Sequence, residues 1–284
     1  MTTEKINGIS MRYDVFGDRG PWVALSPGGR REGAAAAGLA RRMAAAGHRV
    51  VIFDRRNCGA SDVSIESTDK SESELWADDL HALLSKLGAL PVAAGGGSSG
   101  CRLAVLLALR YPKDVSALLL WRVTGGAHAC EKLAYQYYGD YIEAAQKGGM
   151  KAVCETEHFA GCIAANPRNR DYLMGFKTED FIRRMRGWSE YFLRDKDLPI
   201  IGASEQELRS LKVPACIVPG NDWRHNPKVA ARAVELIPVA ELHDLIKVQR
   251  DVDRGPHEDW DEIEAEMAET FVKFLKQHAR VPAA

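Results

Sequence analysis

Short apolar runs alternate with helix-forming segments along this chain, and that alternation limits the fold more than any other feature. Arg49–Asp54 and Val115–Trp121 are two such runs, and the Ala-rich segment Gly33–Gly47 and the apolar segment Gly100–Arg110 are predicted helices. Strands that are apolar along their whole length and alternate with helices are typical of parallel sheets covered on both faces. We therefore predict an α/β fold with a mostly parallel sheet flanked by helices.

Two further β segments precede this alternation, Ile6–Phe16 and Trp22–Leu25. We expect both to add antiparallel pairing at one edge of the sheet. The parallel strands would end at a common edge, and in open α/β sheets ligands bind outside the carboxyl ends of the strands. Functional residues are therefore expected in the loops that follow strands.

The alternation stops after Trp121 and resumes near Ala215. The intervening segment is rich in aromatic residues, has a helix-like pattern and contains no convincing strand. A long amphipathic helix over Glu258–His278 then closes the chain. We predict a core domain of residues 1–123 and 209–284, interrupted after the sixth strand by a helical cap, residues 124–208.

The charge balance excludes nucleic acid as the main ligand. The chain has 284 residues with 38 Lys and Arg against 39 Asp and Glu, a net charge of −1, so it lacks the basic excess that phosphate backbones require. We see no apolar membrane span and no secretory signal, which predicts a cytoplasmic protein. Six scattered cysteines without C-x-x-C pairs favour buried, reduced thiols over disulfides or a zinc site.

Residues Gly96–Gly100 carry the strongest functional motif, because Gly-Gly-Ser-Ser-Gly fits the pattern G-x-S-x-G. The motif lies between a predicted strand and an apolar helix, the context in which this turn exposes a serine nucleophile. Ser98 takes the nucleophile position; for Ser99 the second glycine of the pattern would be Cys101. The alternative is a Gly- and Ser-rich turn that binds a phosphate or no ligand.

With this motif the chain resembles the α/β-hydrolase fold superfamily along nearly its whole length. Asp54–Asp62 is similar to the family's D-x-x-G-x-G-x-S segment, with Asn57 at the first glycine, and Leu25–Gly29 is similar to its oxyanion loop, with Pro27 replacing the usual histidine. The resemblance implies an eight-stranded sheet, a helical cap after strand 6 and a serine hydrolase with a Ser-Asp-His triad.

A triad of this type follows the chain order serine, acid, histidine. Asp222 ends the segment after the seventh predicted strand and resembles the family's acid turn. His257 lies 17 residues before Phe274, a spacing similar to that of the family's histidine. The resemblance therefore implies Ser98 as nucleophile, Asp222 as the acid and His257 as the base.

Two of these assignments have competitors. His225, three residues after Asp222 on the same loop, could be the base instead. Asp244, Asp251 or Asp253, which lie closer in sequence to His257, could be the acid. Some members of the family that the chain resembles take the acid from the end of the sixth strand. Here the segment after that strand contains no carboxylate, which favours Asp222.

The resemblance implies that the backbone N–H groups of Gly29 and Ser99 form the oxyanion hole. Aromatic and arginine side chains near the predicted cleft are candidates for substrate binding: Arg30, Arg102, Trp121, Arg122, His128 and Trp188.

The predicted activity is cleavage of a carboxylic ester or lactone of a small, partly apolar molecule. The alternatives are hydrolysis of a C–C bond in a ring-fission product, a cofactor-free non-hydrolytic reaction, and a ligand receptor on the same fold. We expect no cofactor, no metal ion and no nucleic acid or membrane partner. A homodimer remains open.

Overall fold

The computed structural model describes residues 2–66 and 69–278 of the chain. Within this part of the chain, eight strands form one sheet in the order β1-β2-β4-β3-β5-β6-β7-β8. The strands are β1 (Thr2–Ile6), β2 (Ile9–Phe16), β3 (Trp22–Ser26), β4 (Arg49–Phe53), β5 (Val92–Gly97), β6 (Val115–Trp121), β7 (Ala215–Val218) and β8 (Ala240–Leu242).

Strands β3 to β8 pair in parallel, whereas β1 with β2 and β2 with β4 pair in antiparallel fashion. The predicted mostly parallel eight-stranded sheet is therefore confirmed. The segment Ile6–Phe16 is part of a hairpin, because Asn7 and Gly8 both have positive φ (45° and 83°) and form a two-residue turn.

The prediction that Trp22–Leu25 adds antiparallel pairing at an edge was wrong. This segment forms β3, which lies inside the sheet and pairs in parallel with β4 and β5. Four of its five residues are buried, since helices cover both faces of a central strand.

Helices cover both faces of the sheet and also fill the connection between β6 and β7. They are α1 (Ala37–Ala45), α2 (Glu72–Lys86), α3 (Ser99–Arg110), α4 (Gly126–Ala134), α5 (Asp140–Glu155), α6 (Glu157–Ala165), α7 (Arg168–Met174), α8 (Thr178–Arg194), α9 (Glu205–Ser210), α10 (Pro227–Leu236) and α11 (Glu258–Gln277). Helices α2, α3 and α10 pack on one face, and α1 and α11 pack on the other. None of the helices in the described ranges is long and apolar enough to cross a membrane.

Helices α4 to α8 share a hydrophobic cluster of their own. The cluster contains Tyr137, Phe159, Phe181 and Trp188, and Val63 from the loop after β4 packs against them. A π-helical turn over Tyr135–Gly139 joins α4 to α5. The division of the chain into core and cap at residues 124 and 208 stays a prediction.

Candidate active site

Ser98 occupies the sharp turn between β5 and α3. Its φ of 54° and ψ of −111° are unusual for a residue other than glycine. A Cβ on Gly96 would lie 2.3 Å from the backbone carbon of Gly100, and a Cβ on Gly100 would lie 2.2 Å from the carbonyl oxygen of Ser26. Only glycine fits at both positions, so the motif predicted from the sequence forms the expected strand-to-helix turn.

Ser98 faces an imidazole that is itself held by a carboxylate. The Nε2 of His225 lies 3.0 Å from the Oγ of Ser98, and its Nδ1 lies 2.8 Å from Oδ1 of Asp222. Asp222 also accepts hydrogen bonds from the backbone N–H groups of His225 and Gly255, both at 2.8 Å. These contacts satisfy both carboxylate oxygens and fix the orientation of the imidazole.

The resemblance implied that His257 would contact Ser98, but in the structure the imidazole in contact with both Ser98 and Asp222 is that of His225. His257 lines the same cleft, but within the described part of the chain its side chain has no hydrogen bond to Ser98 or Asp222. Strand β8 ends at Leu242, and the long irregular segment after it leaves His257 beside the cleft, at the start of α11.

The loop between β7 and α10 brings His225 into place by folding back on itself. A Cβ on Gly220 would lie 2.0 Å from the carbonyl oxygen of His225, so the loop closes only because glycine stands there. Asn226 then caps α10 by accepting a hydrogen bond from the N–H of Lys228, with Pro227 at the first helical position. A glycine, an acid, a histidine and a helix start in close succession are the local signal that points to His225.

Burial and hydrogen bonding shift the pKa values of both partners. Burial lowers the pKa of His225, the contact with Asp222 opposes this and the nearby Arg122 adds to it, and the result is a pKa of about 4. Burial alone would raise the pKa of Asp222, but its hydrogen bonds from His225 and Gly255 lower it to about 2. At neutral pH the pair is therefore a neutral imidazole beside a carboxylate.

The three competing carboxylates lie elsewhere. Asp251 accepts a hydrogen bond from Nε1 of Trp223 at 3.0 Å. Asp253 pairs with Arg224 and contacts His128 at 2.8 Å. Asp244 is exposed on the segment after β8. Asp222 is the carboxylate in contact with the imidazole that faces Ser98.

The loop after β3 lies directly against the serine. A Cβ on Gly28 would lie 3.1 Å from the Cβ of Ser98, and Gly29 adopts a φ of 62°. The buried Arg55 joins this loop to the turn at Ser98, because it donates to Oγ of Ser99 at 2.8 Å and to the carbonyl oxygen of Gly29 at 2.6 Å. The hydroxyl of Ser99 also donates to that carbonyl at 2.8 Å.

A cleft of about 390 Å³ opens in front of Ser98. Three of the predicted substrate-binding residues, Arg30, Trp121 and Arg122, line it. The sequence did not single out several others that line it as well, because they come from five separate segments: Leu133, Gln136, Tyr137, Arg224, Arg254 and Trp260.

Arg122 is buried directly beside the contact between Asp222 and His225. Its Nη2 lies 3.6 Å from Oδ2 of Asp222, and its guanidinium lies 5.1 Å from the ring centre of Trp260. Its φ of 56° turns the chain at the end of β6. Burial and, to a smaller extent, the neighbouring arginines Arg254, Arg31 and Arg224 lower the pKa of Arg122 to about 10, against the attraction of Asp222.

The four predicted substrate-binding residues other than Trp121 and Arg122 have different surroundings. Arg30 borders the cleft, but its guanidinium is engaged by Glu72 through hydrogen bonds of 2.8 and 2.6 Å. Arg102 and Trp188 are buried among the residues of α3 and α8 and do not line the cleft. His128 lies outside it, where its ring contacts Asp253 and Trp223. These positions do not support direct substrate contact.

Cys101, three residues after Ser98, is not a competing nucleophile. It is buried, and its Sγ donates to the carbonyl oxygen of Trp121 at 2.9 Å. Burial raises the pKa of its thiol to about 12, so the reactive thiolate is absent at neutral pH. The five other cysteines are also buried and free, as the sequence predicted.

Comparison with known proteins gives a consistent result. A sequence model described as alpha/beta hydrolase fold matches residues 26–123. The chain is 29% identical over 117 residues to the uncharacterized hydrolase YraK of Bacillus subtilis (strain 168), and the match covers 41% of this chain and 42% of that protein. The matched segment therefore spans less than half of that relative.

Solved structures match over almost the full length. An enol-lactonase from Burkholderia xenovorans LB400 is 18% identical, with a TM-score of 0.61 over 98% of this chain and 99% of that chain. A thermophilic esterase from Thermogutta terrifontis is 19% identical, with a TM-score of 0.65 over 99% of this chain and 100% of that chain. Together with the sheet order and the turn at Ser98, these matches show that the chain has the α/β-hydrolase fold.

Proposed function

We propose that the protein is a serine hydrolase that cleaves a carboxylic ester or lactone of a small, partly apolar molecule. The observation that carries this proposal is the contact of Ser98 Oγ with Nε2 of His225 at 3.0 Å, with Asp222 at 2.8 Å behind the imidazole. A serine, an imidazole and a carboxylate in this order are the groups that acyl transfer requires.

In the proposed reaction, the neutral His225 removes the proton of Ser98 as its Oγ attacks the carbonyl carbon. Asp222 holds the imidazole in the tautomer that accepts at Nε2 and stabilises the imidazolium that forms. His225 then protonates the leaving group, and a water molecule activated by the same imidazole releases the acyl group from Ser98.

The negative charge of the tetrahedral intermediate would be stabilised by the backbone N–H groups of Ser99 and Gly29. Ser99 is the first residue of α3, and the first N–H groups of a helix have no acceptor within the helix. The close approach of Gly28 to Ser98 supports the same placement of the neighbouring Gly29. Because both donors are backbone groups, Pro27 can replace the histidine that this loop usually carries.

Ester and lactone substrates are favoured by two kinds of observation. The names of two structurally similar proteins, an esterase and an enol-lactonase, describe this chemistry. The cleft is lined on its apolar side by Leu39, Leu133, Trp260 and Met267, which suits a partly apolar acyl group.

We also assign the segment 124–208 as a cap over this cleft. Leu133, Gln136 and Tyr137 belong to this segment and line the cleft, which supports the assignment. A cap in this position would exclude bulk water from the acyl group bound to Ser98.

The test is covalent labelling of Ser98 by a fluorophosphonate, together with hydrolysis of a panel of p-nitrophenyl esters and small lactones. Ser98→Ala should abolish both labelling and turnover, while Ser210→Ala, an exposed serine on α9, should leave both unchanged. Labelling at another residue, or turnover by Ser98→Ala above about a hundredth of the wild-type rate, would show that Ser98 is not the nucleophile.

A further inference from the structure

Positive charge dominates the wall of the cleft in front of Ser98. Four arginines line it besides Arg30, namely Arg31, Arg122, Arg224 and Arg254, and His257 lies beside them. The acidic residues that line the cleft are Asp261 and Glu264. The chain as a whole has a net charge of −1, so this surplus is a property of the cleft.

Contacts within the protein neutralise only some of these arginines. Arg224 pairs with Asp253 and donates to Oε1 of Gln136 at 2.6 Å. Arg31 and Arg254 have exposed side chains, and neither forms an ion pair within the described ranges 2–66 and 69–278.

The acidic residues do not balance them. Glu264 forms an ion pair with Arg42 at 3.1 Å, outside the cleft. Asp261 lies in the first turn of α11 and is the one acidic lining residue without such a pair among the described residues. Two unpaired arginines therefore face a single unpaired carboxylate.

Arg122 adds a buried charge closer to the serine. The residue is 8% exposed, and its Nε has no hydrogen-bond partner within the described residues. Its nearest carboxylate, Asp222 at 3.6 Å, already accepts three hydrogen bonds from His225 and Gly255. Burial and, to a smaller extent, repulsion by the other guanidiniums lower the pKa of Arg122. A buried cation in this state is stabilised by an anion that enters the cleft.

On the basis of the hydrolase function proposed above, we propose that the natural substrate is an ester or lactone that carries a carboxylate on its acyl side. Arg31 and Arg254 at the exposed wall and Arg122 at the buried end bind this carboxylate. Arginine suits this role because its planar guanidinium stays charged and matches a carboxylate with two parallel donors.

Two esters with the same chain length test this proposal, mono-p-nitrophenyl adipate and p-nitrophenyl hexanoate. The enzyme-free rate is subtracted for each. We expect the wild-type protein to have a kcat/KM at least about tenfold higher for the adipate ester, because one good ionic contact corresponds to about that factor. Added salt should lower this ratio, since exposed charges are screened.

The double variant Arg31→Gln, Arg254→Gln should lower the ratio of the two kcat/KM values by about tenfold. The matched control is Arg209→Gln, which removes the same charge from an exposed position on α9 outside the cleft. Arg122 is left intact in this test, because its proximity to Asp222 would mix substrate binding with the chemistry of the triad.

The outcomes separate this inference from the proposed function. If Ser98 hydrolyses both esters but the hexanoate is preferred, or the double variant leaves the ratio unchanged, the carboxylate site is refuted and the hydrolase remains. If neither ester is hydrolysed, the test is whether adipate protects Ser98 from labelling by the fluorophosphonate. Protection in the wild-type protein that is lost in the double variant supports the carboxylate site, and a lack of protection in the wild-type protein refutes it. If Ser98 is not labelled at all, both proposals fail together.

Discussion

Exchanging the two histidines of the cleft one at a time is the most direct test of the proposed chemistry. His225 contacts Ser98 at 3.0 Å and Asp222 at 2.8 Å, whereas His257 contacts neither. His225→Gln keeps a polar side chain of similar length but removes the group that accepts the proton of Ser98. We expect kcat to fall by about 10⁴-fold or more, as in other triads that lose the histidine.

The expected fall corresponds to about 5.5 kcal/mol of lost transition-state stabilisation. His257→Gln should change kcat by less than about tenfold, because this side chain affects the serine only through the charge and shape of the cleft wall. The two variants remove the same side chain from the same cleft, so each serves as the control for the other.

Initial rates with a short p-nitrophenyl ester at neutral pH give the comparison, and circular dichroism on both variants shows whether the fold persists. Fluorophosphonate labelling of Ser98 should slow in His225→Gln and stay near the wild-type rate in His257→Gln. A large loss of kcat in a folded His257→Gln, with His225→Gln nearly active, would refute the assignment of the base and restore the one that the sequence resemblance implies.

Four further predictions concern the pH dependence of the reaction, two glycines and Arg55. The pKa of the buried His225 is lowered to about 4, and only the neutral imidazole can accept the proton of Ser98. We therefore expect kcat/KM to stay level from neutral pH down to about pH 5 and to fall as the pH drops through about 4. A pH–rate profile that already falls near pH 6.5 would contradict this. Gly100→Ala should destabilise the protein by about 1–3 kcal/mol in urea unfolding, because its Cβ would meet the carbonyl oxygen of Ser26 at 2.2 Å. Gly187→Ala in α8, where nothing lies within 4 Å of the new Cβ, should stabilise it by about 0.5–1 kcal/mol. Arg55→Lys should lower kcat about tenfold with a smaller change in KM, since a lysine cannot hold both Ser99 and the Gly29 carbonyl. An equal fall in kcat/KM caused by a rise in KM alone would mean that Arg55 does not position the oxyanion loop.

Features encoded by neighbouring residues could be predicted from the sequence. The parallel sheet follows from apolar runs that alternate with helices, and the turn at Ser98 follows from glycines that a Cβ would exclude. The position of β3 could not be predicted in the same way, because an edge strand and a central strand with an apolar sequence differ only in what covers them. The burial of both faces of Trp22–Ser26 depends on helices that come from distant parts of the chain.

The same distinction between local and long-range features applies to the residues of the site. Ser98 and Asp222 each follow a strand directly, so their positions at the edge of the sheet could be predicted from local sequence. The position of His257 depends on the irregular segment of about fifteen residues between β8 and α11, and spacing along the chain does not determine such a path. The arginines of the cleft come from separate loops, so their convergence is visible only in three dimensions.

The placement of His225 changes the role that the segment after β8 can have. Asp222 and His225 lie on one short loop and hold each other through a backbone and a side-chain hydrogen bond, so their pairing does not depend on that segment. The segment still touches the acid, through the N–H of Gly255 at 2.8 Å. The residues on either side of this contact, Arg254 and His257, are then free to line the cleft. A stretch that the family resemblance assigns to the catalytic base therefore contributes charge to the substrate side of the site. Substitutions there should alter which esters are hydrolysed more than how fast the acyl-enzyme forms.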